Sequence, residues 1–151
     1  MAEFDSRQKT NLASRIKLPP TDYGKVQVAI ATTPAVAAWA QNDTWGTGIR
    51  IPAGARILRS GRISHGAWGS SVTMDVGIRA LDGTVIDVDG IADGINVAAV
   101  GANALDGGSL FASGVAYTTT QEVEVYATAL SANPTDNAQA ELEIHWVGPT
   151  P

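Results

Sequence analysis

From Lys25 onward, apolar and polar residues alternate with a period of two over several long stretches, and this alternation limits the fold more than any other feature. A pleated strand sends successive side chains to opposite faces, so the pattern marks strands with one buried face. It predicts Val26, Val28 and Ile30 turned inward. It sets Val72, Met74, Val76 and Ile78 against Thr73, Asp75 and Arg79, and Val123, Val125, Ala127 and Ala129 against Glu122, Glu124 and Tyr126. The last stretch alternates Ala140, Leu142, Ile144 and Trp146 with Glu141, Glu143 and His145. Shorter strands fit at 48–51, 55–64, 84–88 and 110–117. Sixteen glycines and seven prolines separate these runs, so the chain reads as all-β: an antiparallel β-sandwich or jelly roll.

Two local expectations follow. The stretches 121–129 and 139–147 read as a hairpin, because Ser131, Asn133, Pro134, Asp136 and Asn137 between them form turns readily. One helix is predicted over 93–105, where Asp93 caps and Ile95, Ala98, Ala102 and Leu105 share a face; Gly94 and Gly101 keep it short. Residues 1–24 lack periodicity and lead into Leu18-Pro19-Pro20, which favours extended backbone, so they read as an N-terminal arm on a single domain spanning 25–151. A chain of 151 residues can bury one core without disulfides. Its N-terminus has no apolar signal-type run, and no segment reaches the roughly 20 apolar residues of a membrane span, so a soluble protein is expected.

The chemistry-bearing residues do not converge. Without cysteine there is no thiolate nucleophile and no Cys-ligated zinc. The run Asp87-Val88-Asp89-Gly90-Ile91-Ala92-Asp93-Gly94 resembles a calcium loop, but Gly90 comes too early and Ala98 stands where the bidentate Glu belongs, so an Asp-rich turn is expected. His65, His145, Ser70 and Ser71 have no orienting acid at a fixed spacing, and no nucleophile-elbow motif is present. No catalytic, metal or cofactor site is therefore expected. Trp39, Trp45 and Trp68 could stack sugars, which keeps a carbohydrate-binding module or adhesin as an alternative, whereas Trp146 alternates with core residues.

Charge is divided along the chain. All ten Lys and Arg residues lie between Arg7 and Arg79, while ten of the fifteen carboxylates follow residue 79. The net charge of −5 argues against a general nucleic-acid binder. If the expected hairpin forms, Glu122, Glu124, Glu141 and Glu143 share one outer face, where like charges repel and favour a cationic neighbour. Arg50, Arg56, Arg59 and Arg62, with Arg7, Lys9, Arg15 and Lys17 of the arm, could supply it. These twelve residues are the candidate interface between subunits or with a partner.

The segments Asp22-Tyr23-Gly24-Lys25-Val26-Gln27-Val28-Ala29-Ile30-Ala31-Thr32 and Ile49-Arg50-Ile51-Pro52-Ala53-Gly54-Ala55-Arg56-Ile57-Leu58 resemble small structural proteins of tailed bacteriophages. The likeness continues through Val72 to Ile78, the Asp87 to Val97 run and the final Glu143-Ile144-His145-Trp146-Val147. It implies a jelly-roll head decoration or cement protein, made in the host cytoplasm, that sits on the outside of the virion capsid. Such a protein bridges major capsid protein subunits as a homodimer or homotrimer. A tail, baseplate or head-fibre component would carry nearly the same features.

Overall fold

The computed structural model describes residues 25–149; the expected arm, with Arg7, Lys9, Arg15 and Lys17, lies outside the described residues. The strands are β1 (Val26–Thr32), β2 (Thr44–Ile51), β3 (Arg56–Ile57), β4 (Arg62–His65), β5 (Thr73–Arg79), β6 (Val85–Asn96), β7 (Gly101–Ala104), β8 (Tyr117–Thr118), β9 (Val123–Leu130) and β10 (Ala140–Val147). A single 3-10 turn at Ser109–Phe111 is the helical element among the described residues.

Two antiparallel sheets face each other. In the first, β10 is central: β1 pairs along one edge over Val147 to Glu141, and β3 and β4 share the other edge end to end. Beyond them, β8 pairs with β3 and β7 with β4. The second sheet has the order β2-β9-β5-β6. The chain passes between the sheets at β1 to β2, β2 to β3, β4 to β5, β6 to β7, β8 to β9 and β9 to β10, which is the interlocked Greek-key path of a jelly roll.

The core lies between the sheets and is built from the alternations of β5, β9 and β10. Val72, Met74, Val76 and Ile78 are buried, as are Val123, Val125 and Ala127 opposite them and Leu142, Ile144 and Trp146 from the first sheet. Sheet two also curls. The β5–β6 register shifts three times, and the β6 backbone passes so close to β5 that a Cβ on Gly77 would overlap the Asp87 and Val88 carbonyl oxygens. Position 77 therefore requires glycine.

Several local expectations are overturned, each for an identifiable reason. β1 has the opposite facing: Val26, Val28 and Ile30 are 51, 54 and 58% exposed, while Ala29 and Ala31 pack against the core. Directly opposed residues of an antiparallel pair share a face, and β10 fixes which face that is. Ala29 opposes Ile144 and Ala31 opposes Leu142, so the smaller residues of β1 go inward with them.

The 121–129 and 139–147 stretches are not a hairpin. β9 is flanked by β2 and β5, and β10 by β1 and β3/β4, so both edges of each are already occupied. The 93–105 helix is replaced by the end of β6 and by β7; Gly94 has φ +62, which an α-helix does not accept. The Asp87–Asp93 run lies within the bulged β6 strand rather than forming a turn. The 110–117 stretch holds only the last residues of the 3-10 turn and the start of β8, and 55–64 is divided between β3 and β4.

Candidate assembly surface

With β9 and β10 in different sheets, the four expected glutamates cannot form one face. Glu141 and Glu143 lie on the outer face of sheet one, and Glu124 on the outer face of sheet two. Glu122 stands exposed just before β9. The shared-face expectation is thus corrected, and two separate surfaces take its place.

On sheet one the register lines up three rows. Val26, Val28, Ile30 and Thr32 of β1 stand beside Val147, His145, Glu143 and Glu141 of β10. Glu143 and Glu141 in turn oppose Arg62 and Ser64 of β4. The middle row is internally bonded: His145 Nε2 lies 2.6 Å from Glu143 Oε1, and its Nδ1 lies 2.8 Å from Ser60 Oγ. His145 thus links the Glu143 carboxylate and the Ser60 hydroxyl through its two ring nitrogens. Arg62 donates to Ser64 at 3.1 Å, and Arg59 donates to the Gly114 carbonyl at 2.8 Å with Asp106 at 4.0 Å. The surface therefore runs from an exposed apolar row through an acidic row to a basic margin.

On sheet two, Glu124 is held by its own fold. Arg79 Nε donates to Glu124 Oε2 at 2.9 Å, the Gly48 N–H donates to Oε1 at 3.1 Å, and Arg50 opposes it in the β2 register. Burial pushes the Glu124 carboxyl pKa up, but these donors and the Arg79 and Arg50 charges outweigh it and hold it below the usual carboxylate range. The Arg79 guanidinium also sits 5.1 Å from the centre of the Tyr126 ring. Beside them Asp75 is buried; desolvation raises its pKa, opposed by the Gly94 N–H that donates to it at 2.8 Å and reinforced by the Asp93 charge.

Of the other expected candidates, Arg56 lies on β3, half-buried. The tryptophan platform is absent because Trp68 and Trp45 are in the core. Trp39 is half-buried, tilted against Trp68 at 5.1 Å, and gives its indole N–H to the Ala138 carbonyl. His65 is buried at the end of β4, bonded to the Gly66 carbonyl and Asn103. Among the described residues, no group of three or more His, Cys, Asp or Glu could hold a metal ion, and no helix is long and apolar enough to cross a membrane. Sequence reasoning missed Arg79 as the partner of Glu124 and missed the exposed β1 row. The first was legible only once β5 was known to neighbour β9, and the second only once β10 set the register of β1.

No protein-family model and no curated protein matches the sequence. Solved structures do match the fold. A chain of the cyanophage Pam1 capsid asymmetric unit aligns with a TM-score of 0.67 and 14% identity, covering 99% of this chain and all of that one. A chain of the capsid of Ralstonia phage GP4 aligns with a TM-score of 0.67 and 15% identity, covering 89% of this chain and 93% of that one. The acidic stable capsid of Helicobacter pylori bacteriophage KHP30 contains a chain aligning at 0.50 and 18% identity over 84% of this chain and 90% of that one. At these identities the likeness establishes a shared jelly-roll architecture.

Proposed function

We propose that this chain is a non-catalytic structural protein of a phage virion that decorates the outside of the capsid and bridges major capsid protein subunits. The observation that carries this reading is the end-to-end match in both directions to a chain of the Pam1 capsid asymmetric unit. The surfaces support the same reading: the outer faces carry paired charges and exposed apolar residues. An extended N-terminal arm suits such a protein, because it spreads contact over a neighbouring subunit, and many weakly bound copies then act together.

The test is co-sedimentation with capsid shells lacking the protein. The full chain should pellet with shells and slow their disruption by heat, and removal of residues 1–24 should abolish pelleting while the circular dichroism spectrum stays β-rich. Full-length protein that folds but never pellets with shells would overturn the proposal.

A further inference from the structure

β1 is an edge strand left open among the described residues. Its sequence, Val-Gln-Val-Ala-Ile-Ala-Thr, holds no charge and no proline, and its register with β10 runs unbroken without a bulge. Soluble proteins ordinarily blunt such an edge with lysines, prolines or bulges, because free N–H and C=O groups recruit another strand. Here the open edge is bordered by exposed Val28 and Ile30 on the outer face and by the small, half-buried Ala29 and Ala31 on the inner face. The next outer row holds Glu141 and Glu143.

We infer that this edge is a docking strip for residues 12–18 of a second copy of the chain, added as a further strand of sheet one. Within this segment, Arg15-Ile16-Lys17-Leu18 alternates polar with apolar residues in the sense the strip requires. In that pairing Ile16 and Leu18 would share the inner face with Ala29 and Ala31. Arg15 and Lys17 then face outward, their alkyl stems covering Val28 and Ile30 and their charged heads reaching toward Glu141 and Glu143. Pro19-Pro20 separates this segment from β1, and proline favours extended backbone. The inference goes beyond the virion reading and stands without it, because it concerns the free protein.

The experiment is sedimentation analysis of the isolated full chain. The wild type should form a discrete oligomer, and Val28→Asp, at an exposed position, should raise its dissociation constant about tenfold or more with an unchanged circular dichroism spectrum. Lys17→Glu and Glu141→Lys should each weaken association, and the two combined should restore it. The chain has no native cysteine, so a mixture of Ile16→Cys and Ala31→Cys chains gives a clean second readout: a disulfide should form between the two. A wild type that is monomeric at all concentrations would overturn the inference. So would an oligomer indifferent to Val28→Asp, or a doubly substituted Ile16→Cys, Ala31→Cys chain that closes its disulfide within itself regardless of dilution.

Discussion

Two carboxylates on the same outer face respond to pH in opposite senses. Glu124 has a folded-state pKa below its ordinary value, so its contribution to stability is present above the usual carboxyl range and is lost as pH falls through the lowered pKa. Glu124→Gln should therefore flatten the acid limb of a stability-against-pH curve measured by urea unfolding; an unchanged limb would contradict the Arg79 assignment. Asp75 has a raised pKa, so the folded state holds its proton more tightly, and stability declines as pH rises from the ordinary carboxyl pKa through the raised one. Asp75→Asn keeps an acceptor for the Gly94 N–H and removes the buried charge. It should gain stability at neutral pH and nothing at low pH. Gly77 gives a steric test at the same scale. Gly77→Ala should cost at least about 3 kcal/mol because β6 backbone occupies the Cβ position. Gly83→Ala meets open space at φ +90 and should cost only about 1–2 kcal/mol. Equal losses at the two glycines would contradict the curl of β6 over β5.

At the scale of elements, central and edge strands make different demands on sequence. Leu142 on central β10 is fully buried, and Leu142→Ala should cost about 2–5 kcal/mol. Val28→Ala on edge β1 should change unfolding free energy in dilute solution by no more than about 0.5 kcal/mol. A large Val28 effect would restore the inward facing that the alternation alone suggested. The alternations of β5, β9 and β10 were legible because each strand has neighbours on both edges and one face against the core, so period two has a single solution. β1 was misread because Ala29 and Ala31 are apolar as well as Val26, Val28 and Ile30, and only the pairing with β10 decides between the two faces. The supposed hairpin was misread for a related reason. Turn residues at 131–137 announce that the chain reverses, but they do not say whether it returns to the same sheet or crosses to the other. Gly94 and Gly101 were the available warning against the helix.

At the scale of the whole molecule, the division of charge along the sequence does not become two opposed faces among the described residues. Glu124 is neutralised within sheet two by Arg79, a cation from the basic part of the chain. Glu141, by contrast, remains exposed beside the open β1 edge. Surface pairs of that kind are screened by salt, so self-association should weaken between low and physiological ionic strength; salt-independent association would implicate the apolar row alone. The jelly roll brings its first and last strands together in one sheet, so the chain enters at an edge of the sandwich, next to the strip it is proposed to pair with in a neighbour. The most direct measurement is cryo-electron microscopy of the native particle carrying this protein. The account predicts many symmetry-related copies of this jelly roll on the outer shell, each spanning a junction between major capsid protein subunits. Particles with the fold only at the tail or a single vertex, or with none on the shell, would contradict it.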